Sequence, residues 1–334
     1  MSLKILDCTL RDGAHVNRGR FGLAAIKNVI QSLELAKIDI IEVGFLQDVV
    51  YDEDVVFFDS ITRVESLIAS CDLVGSADIS LMVRPDRCSI DRIDSIASTV
   101  NTIRFAFYAE DFDKVPAYFN HARSLGYKCF LNPVAITTYS HDQIKNLLNS
   151  CAELKPDGIS IVDTFGGVTL DSFRELVEIF NERLSSAAYL GVHLHENLSL
   201  SFGLVQDYLK TYFGLRDTII DCSLLGMGRI PGNTPTELVL DLVNRTYKGS
   251  YDIQPIMNVI SDVINIEMIK RGWGYSPEYM LSGSLNVHRS YAEFFVEHRG
   301  LDLKSCAILM EMISSDGRGA RYNENYAVSL IEKL

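Results

Sequence analysis

Short runs of apolar residues recur along the chain at intervals of roughly 25 to 35 residues, and each is followed by a stretch with helical periodicity. Most runs are almost continuously apolar, as expected of parallel strands that are covered on both faces. We interpret eight of them as strands: LKILDCT from Leu3, DIIEVGF from Asp39, ADISLMV from Ala77, TIRFAFY from Thr102, KCFLNPV from Lys128, GISIVDT from Gly158, YLGVHLH from Tyr189 and TIIDCSLLG from Thr218.

Helical patterns fill the intervals between these strands. Apolar residues fall mainly on one stripe in the segments Leu23 to Ala36, Asp142 to Leu154, Leu170 to Leu184 and Leu204 to Tyr212. Eight alternating strand and helix units predict an α/β fold, a TIM (β/α)8 barrel with an outer ring of helices. The rival fold is an open doubly wound sheet, whose dinucleotide-binding form carries a GxGxxG turn after the first strand. That turn reads TLRDGAH here, which favours the barrel.

The strand pattern ends near Asn244. From there to Leu334 the sequence reads as a C-terminal helical appendage, which begins with IQPIMNVISDVINIEMIKRG and contains the only tryptophan, Trp273. We therefore predict a catalytic barrel over residues 1–245 and a helical region over residues 246–334 that packs against it.

The composition restricts the class of protein and its partners. The 334 residues are 47% hydrophobic and 22% charged, and no apolar stretch approaches the roughly 20 residues that span a bilayer. A net charge of −13 argues against nucleic acid and anionic membranes as partners. Seven cysteines without a paired spacing, and an N-terminus without a signal-peptide pattern, predict reduced thiols and a cytoplasmic protein.

The polar residues at the strand ends carry the functional information, because TIM-barrel active sites form at the C-terminal ends of the strands. His193 and His195 are two residues apart in the seventh strand, so both imidazoles face the same side. Only the eighth strand separates the first from the seventh in a closed barrel, so Asp12 could add a carboxylate oxygen. An isolated HxH is often a chance spacing, but at a barrel strand end it indicates a catalytic metal site. Manganese or magnesium is the expected ion, and cobalt or zinc would also suit these ligands.

Arg11 and His15 flank Asp12 in what the pattern predicts to be a loop. Alone, they would be an ordinary salt-bridging arginine and an ordinary loop histidine. Beside a metal, a permanently protonated guanidinium can stabilise an enolate oxygen, and an imidazole can exchange protons near neutral pH. Asp7, inside the first strand, is predicted either to support the site or to be a buried, hydrogen-bonded aspartate.

Other polar residues near strand ends are assigned to the substrate or to positions that support the metal: Glu42, Asp163, Thr164, Asn197 and Asn233. Asp163 and Thr164 could equally cap the following helix. Asn233 lies in GMGRIPGN after the eighth strand, where glycines let the backbone approach a ligand closely. This spacing matches no P-loop, so a simple turn and a phosphate site both stay open there.

Three motifs together resemble the DRE-TIM metallolyases, the family of 3-hydroxy-3-methylglutaryl-CoA lyase, isopropylmalate synthase and the 4-hydroxy-2-oxovalerate aldolases. They are TLRDG, HLHENLSLS and GMGRIPGN, which occur in this order at barrel spacing between about Leu6 and Leu238. In this family the synthases usually follow RDG with glutamate and glutamine, whereas Ala14 and His15 resemble the RDGxH pattern of the aldolases. Glu196 departs from that pattern, since those aldolases usually have a histidine there.

The resemblance implies a class II aldolase that cleaves or forms a 4-hydroxy-2-oxoacid, giving pyruvate and an aldehyde through a pyruvate enolate. It makes Asp12, His193 and His195 the metal ligands, Arg11 the enolate stabiliser and His15 the base, and it suggests Tyr291 as the C-terminal tyrosine near the substrate. It also implies a small oxoacid substrate and, as in many family members, an aldehyde dehydrogenase partner. The oligomeric state, including a homo-oligomer, stays open.

Two alternatives remain at this point. A Claisen-type synthase that joins an acyl-CoA to an oxoacid would use the same fold and metal site, and it would release free CoA. A catalytically silent barrel that binds another protein would retain metal but turn over no oxoacid.

Overall fold

The computed structural model describes residues 2–73, 75, 77–94 and 99–334. Within these residues, eight parallel strands close into a barrel, because β1 pairs with both β2 and β9. The two-residue strand β3 is not one of the eight barrel strands, and among the described strands it pairs only with the C-terminal end of β2. The strands are β1 Leu3–Asp7, β2 Ile40–Leu46, β3 Phe57–Phe58, β4 Asp78–Val83, β5 Val100–Phe107, β6 Lys128–Pro133, β7 Gly158–Val162, β8 Tyr189–His193 and β9 Thr218–Cys222. The predicted TIM barrel is confirmed.

Helices surround the barrel and continue to the C-terminus. Each of the four helices predicted from periodicity is present, with its ends within three residues of those expected. The helices are α1 Thr9–Asn17, α2 Leu23–Leu35, α3 Ile61–Ala69, α4 Val115–Ser124, α5 His141–Glu153, α6 Leu170–Arg183, α7 Ser201–Tyr212, α8 Thr236–Tyr247, α9 Ile253–Val259, α10 Asn265–Arg271, α11 Pro277–Ser284, α12 Arg289–Glu293, α13 Leu303–Ser315 and α14 Glu324–Ile331.

The segment that contains Arg11, Asp12 and His15 is the short helix α1, which corrects the prediction of a loop. The Asp7 carboxylate accepts a hydrogen bond from the Thr9 backbone N–H at 2.8 Å, which satisfies one of the free donors at the start of the helix. In a helix, residues three and four positions apart share a face. Asp12 and Arg11 therefore lie on the same side of α1 as His15.

The apolar residues form two main clusters, and these do not separate at residue 245, the domain boundary predicted from the sequence. That boundary stays a prediction. Ile256, Val259, Ile260 and Ile264 belong to the same apolar cluster as the barrel strands and their helices. A second cluster begins at Tyr279 and gathers the apolar faces of α11 to α14.

The C-terminal helices pack against the barrel, as the sequence predicted. The Trp273 indole donates a hydrogen bond to the Leu225 carbonyl at 2.8 Å, and the Asn197 amide donates one to the Tyr279 carbonyl at 2.9 Å. No helix among the described residues combines the length and the apolar character needed to span a membrane. All seven cysteines are unpaired and buried, which confirms the interior positions predicted for Cys8 and Cys129.

Candidate active site

Asp12, His193 and His195 meet at the C-terminal end of the barrel, where they bring one ligand atom each within 4.8 Å of the others. The Asp12 Oδ2 atom lies 3.6 Å from His195 Nε2 and 3.9 Å from His193 Nε2. All three side chains are buried. The cluster offers one carboxylate oxygen and two imidazole nitrogens, a donor set that suits a divalent metal.

The hydrogen bonds of the two histidines fix which ring nitrogen is free. His195 Nδ1 lies 2.8 Å from the Asp163 backbone carbonyl, which can only accept, so this nitrogen carries the proton. His193 Nδ1 lies 3.1 Å from the Asp221 carboxylate, which likewise favours a proton there. Both Nε2 lone pairs are therefore free and directed towards Asp12, as metal-binding histidines require.

The free polar atoms of this cluster support a metal site independently of its geometry. Asp12 Oδ2, His195 Nε2 and Asn233 Oδ1 are buried and make no hydrogen bond to any described residue. Buried polar atoms are rarely left without a partner in native proteins, because each costs about 1–3 kcal/mol. Burial raises the pKa of Asp12, but Arg11 and His195 outweigh it and hold the pKa well below its usual range. The carboxylate is thus available as an anionic ligand.

A chain of buried ion pairs inside the barrel positions both Arg11 and His193. Arg11 donates to Asp12 at 2.7 Å and to Glu42 at 2.6 Å. Arg104, in β5, bridges Glu42 at 3.2 Å and Asp221 at 2.5 Å, and Asp221 holds His193. Two guanidinium groups thus face three carboxylates, an excess of one negative charge that a buried divalent cation would offset.

His15 lies at the edge of the cluster, with Nε2 at 3.7 Å from Asp12 Oδ1 and about a third of its side chain exposed. Its ring packs edge-on against Phe45. Burial lowers the pKa of His15 well below its usual range although the Asp12 carboxylate opposes it, and the positive charges of Arg229, Arg289 and Arg11 act in the same direction as burial. The imidazole is therefore neutral at pH 7 and able to accept a proton.

These residues open onto a cavity of about 530 Å³. Of the residues predicted from the sequence, the lining includes Arg11, Asp12, His15, Thr164, His193 and His195. Asn233 is placed beside it, since a Cβ atom on Gly228 would approach both the Asn233 amide and Asp12 Oδ2 within 2.8 Å.

Tyr291 does not reach the cavity, which corrects its prediction as the C-terminal tyrosine near the substrate. Its ring is buried in the second apolar cluster, and its hydroxyl lies 3.1 Å from the Arg321 carbonyl and 3.2 Å from the Asn323 backbone N–H. Tyr322 and Tyr108 line the cavity instead. The packing of α12 against the last helices turns Tyr291 inward, which no local pattern reveals.

Three other predicted residues have structural contacts away from the cavity. Asp7 accepts hydrogen bonds from the Thr9 backbone N–H and from the Thr236 hydroxyl, so it is a buried, hydrogen-bonded aspartate. The Asp163 carboxylate accepts from the backbone N–H groups of residues 167 and 168, and only its carbonyl supports the site. Asn197 joins the barrel to α11.

The sequence interpretation missed several residues of the site. Arg104 and Asp221 lie in strand interiors, and their charges inside continuous apolar runs were a usable signal, because buried charges are almost always paired. Arg229 lies within the GMGRIPGN motif, but the sequence interpretation gave it no role. Other polar cavity residues lie outside the motifs, among them Asn132 in β6, Arg84 and Arg87 after β4, and His288, Arg289, Ser290, Arg321 and Tyr322 from the C-terminal region.

Comparison with curated proteins finds relatives at low identity. The chain is 26% identical over 270 residues to 4-hydroxy-2-oxovalerate aldolase 2 of Azoarcus sp. (strain BH72), which covers 78% of this chain and 76% of the relative. It is also 26% identical over 271 residues to 4-hydroxy-2-oxovalerate aldolase of Thermomicrobium roseum, which covers 76% of this chain and 73% of the relative.

Solved structures share the fold. The N-terminal domain of a Bacteroides vulgatus protein superposes with a TM-score of 0.76 at 23% identity, covering 88% of this chain and 97% of that one. HMG-CoA lyase from Brucella melitensis superposes with a TM-score of 0.64 at 15% identity, covering 79% and 98%. The family described as HMGL-like matches residues 2–263, most of the chain. The protein therefore belongs to the HMGL-like family.

Proposed function

We propose that the protein is a divalent-metal-dependent class II aldolase that cleaves or forms a 4-hydroxy-2-oxoacid, with pyruvate and an aldehyde as the other side of the reaction. The observation that carries the proposal is the buried Asp12, His193 and His195 cluster, whose free ligand atoms meet beside Arg11 and His15 in one cavity. The names of the relatives, 4-hydroxy-2-oxovalerate aldolases, support this reaction class at about a quarter identity.

Asp12, His193 and His195 would hold the ion, with manganese or magnesium as the first choice and cobalt or zinc as alternatives. When bound, a divalent cation supplies Lewis-acid stabilisation of negative charge that develops on a substrate oxygen. The two histidines donate hydrogen bonds from Nδ1, His193 to the Asp221 carboxylate and His195 to the Asp163 carbonyl, and these bonds fix the orientation of both rings.

Arg11 would stabilise the oxygen on carbon 2 of the substrate as it becomes an enolate. Its Nε and Nη1 atoms are committed to Glu42 and Asp12, whereas its Nη2 atom makes no hydrogen bond to a described residue. Burial disfavours its charge, but the neighbouring carboxylates, Glu42 first, raise the pKa of Arg11 overall. The guanidinium therefore keeps its charge and offers fixed donors where negative charge develops.

His15 would act as the general base in the cleavage direction. Its neutral imidazole takes the proton from the hydroxyl on carbon 4, the bond between carbons 3 and 4 breaks, and the aldehyde carbonyl forms. The electron pair of the broken bond remains on the pyruvate half as an enolate. Protonation of carbon 3 then gives pyruvate, so the reaction needs no oxidant or reductant.

The direct test is pyruvate release from 4-hydroxy-2-oxovalerate and longer 4-hydroxy-2-oxoacids by the purified protein with manganese or magnesium. We expect His193→Ala and Asp12→Asn to abolish this release and metal retention together. His141→Ala is the matched control, because His141 is exposed at the start of α5, pairs with Glu175 and does not line the cavity.

Full pyruvate release by either site variant would refute the assigned metal site. A second, simpler readout is exchange of the pyruvate methyl protons with deuterated water, followed by NMR. This exchange requires only the enolate half of the reaction and therefore does not depend on the identity of the aldehyde. The homo-oligomer and the aldehyde dehydrogenase partner stay predictions.

A further inference from the structure

The cavity beside the metal cluster is rich in positive charge, although the whole chain carries −13. Six arginines line it, against two carboxylates, Asp12 and Asp86. Arg11 belongs to the ion-pair chain already described. Of the other five, Arg87 is exposed to solvent and therefore does not indicate a ligand. The remaining four differ in whether carboxylates of the protein neutralise them.

Two of these arginines are paired near the mouth of the cavity. Arg84 makes two hydrogen bonds to Asp86, at 2.9 and 2.7 Å. Arg321 contacts Glu110 at 3.0 Å and Asp111 at 2.5 Å, and its guanidinium lies 4.2 Å from the centre of the Tyr108 ring. Because these carboxylates neutralise Arg84 and Arg321, the two arginines do not indicate a bound ligand.

Arg229 and Arg289 form a different arrangement in the same cavity. Arg229 contacts the His288 ring, and among the described residues no carboxylate lies within ion-pair distance of it. Arg289 pairs with Glu293 through Nη1, but its Nε atom is buried and makes no hydrogen bond to a described residue. Burial, followed by repulsion from Arg289, lowers the pKa of Arg229 to about 10. The group stays charged at neutral pH. His288 contacts Arg229 and directly precedes Arg289 in the chain, and all three line the same cavity, so the two guanidinium groups belong to one cluster.

His288 completes this cluster as a neutral group. Burial lowers the pKa of His288 well below its usual range, and Arg229 and Arg289 lower it further. Two adjacent, partly buried cations with unused donors are unfavourable unless an anion completes them. Arginine suits this role because its donors match the oxygens of phosphate and carboxylate groups.

The position of the cluster indicates which part of a substrate it faces. Arg229 and Arg289 line the same cavity as His15, and their charges act on His15 more strongly than the charge of Arg11 does. Arg229 also directly follows Gly228, whose backbone abuts Asp12. Because His15 is the proposed base for the hydroxyl on carbon 4, the cluster lies on the aldehyde side of the site.

We propose that the aldehyde half of the substrate carries an anionic oxygen group, a phosphate or a carboxylate, which Arg229 and Arg289 bind. This inference rests on the proposed aldolase function and refines its substrate class. A cavity of about 530 Å³ lies in the size range of pockets that enclose ligands much larger than pyruvate with a two-carbon aldehyde.

The test compares matched aldehydes in the condensation with pyruvate, with the metal-loaded full chain. Glyceraldehyde is compared with glyceraldehyde 3-phosphate, and butanal with succinic semialdehyde, so that each pair differs by one anionic group. We expect about a 10- to 100-fold higher kcat/KM for at least one anionic member, the range that charge-assisted hydrogen bonds provide. The pair that shows the preference identifies phosphate or carboxylate.

Variants of Arg229 test whether the cluster of Arg229, Arg289 and His288 causes the preference for the anionic aldehyde. Arg229→Met should remove most of the preference for the anionic aldehyde, and Arg229→Lys should keep part of that preference. Bound metal is measured in both variants. Arg245→Met is the matched control, because Arg245 is largely exposed on α8 and pairs only with Asp241. It should leave the ratio of the two kcat/KM values unchanged.

Four results would overturn the inference. Equal use of both members of both pairs, with pyruvate proton exchange intact, would refute the anionic substrate while leaving the aldolase proposal standing. A higher KM for pyruvate in Arg229→Met, with the aldehyde preference retained, would assign Arg229 to the pyruvate carboxylate instead. Release of free CoA from acetyl-CoA and an oxoacid would assign the cationic cavity to CoA. Absence of proton exchange would refute the aldolase function itself, and the inference with it.

Discussion

Asp221 is the residue through which the barrel interior controls His193. Its carboxylate accepts from His193 Nδ1 and from Arg104, and Arg104 in turn reaches Glu42, the partner of Arg11. A carboxylate in this position fixes the tautomer of the imidazole and increases the basicity of its free nitrogen. The metal affinity of the site should therefore depend on a residue that does not touch the metal.

Asp221→Asn should weaken manganese binding about 10- to 100-fold. The amide oxygen can still accept hydrogen bonds from His193 and Arg104, but the negative charge that supports His193 and pairs with Arg104 is lost. Isothermal titration calorimetry with manganese measures the effect. Asp217→Asn is the control, since Asp217 precedes the same strand and bonds the backbone N–H of Ser2 far from the site. Equal affinities in the two variants would show that Asp221 has no such role.

At the scale of elements, the site depends on the close approach of the loop after β9 to α1. Gly228 lies at this contact, and a Cβ atom there would be 2.3 Å from the Asn233 amide and 2.8 Å from Asp12 Oδ2. Neither neighbour can move freely, because Asp12 is held by Arg11 and Asn233 is buried. Glycine is therefore required here to avoid a steric clash.

Gly228→Ala should displace the Asp12 carboxylate and abolish tight manganese binding while the barrel stays folded. Circular dichroism would check the fold, and calorimetry would measure the loss of binding. Gly203→Ala is the matched control, because a Cβ atom there has nothing within 4 Å and the position lies inside α7, where alanine is favoured by about 0.5–1 kcal/mol. Normal metal affinity in Gly228→Ala would contradict this account.

The eight barrel strands could be predicted because each is a nearly continuous apolar run whose burial is set by the fold. The helical nature of α1 was missed, although the spacing of Arg11, Asp12 and His15 is helical. Almost the whole helix is buried and many of its residues are polar, so no separate apolar stripe marks it. The two-residue strand β3 is too short for any periodicity and exists only through pairing with β2. A local sequence pattern predicts an element when the residues of that element themselves form the apolar stripe that becomes buried.

At the scale of the whole molecule, the cavity is built by two separately packed parts of the chain. Asp12, His193 and His195 come from the barrel, whereas His288 and Arg289 come from the helices around the second apolar cluster. The first set could be predicted because strand ends of a barrel converge by rule. The second set could not, because its position depends on how the C-terminal helices dock, and docking leaves no periodic signal in the sequence.

Asp7 couples the pH to the stability of the whole fold. It joins β1, α1 and α8 through bonds to Thr9 and Thr236, and its burial raises its pKa from 3.8 to about 6 despite those bonds. Below pH 3.8 the side chain is protonated in both the folded and the unfolded chain, so it contributes no pH dependence there. Between about pH 4 and 6 the unfolded chain loses this proton while the folded chain keeps it, and the free energy of unfolding falls as the pH rises.

Asp7→Asn should remove this pH dependence, because the amide does not titrate. The free energy of unfolding of the variant minus that of the native sequence should increase between pH 4 and 6.5 by up to about 3 kcal/mol, which corresponds to roughly two pKa units. Urea unfolding at several pH values, with a chelator present throughout, would measure the difference. Burial also raises the pKa of Asp163 to about 6. Asp163 is present in both proteins, so its effect cancels from the difference in free energy of unfolding. Asp113→Asn, at an exposed position, should give a difference that does not rise with pH. A constant difference for Asp7→Asn would mean that the buried Asp7 ionises as readily as it does in the unfolded chain.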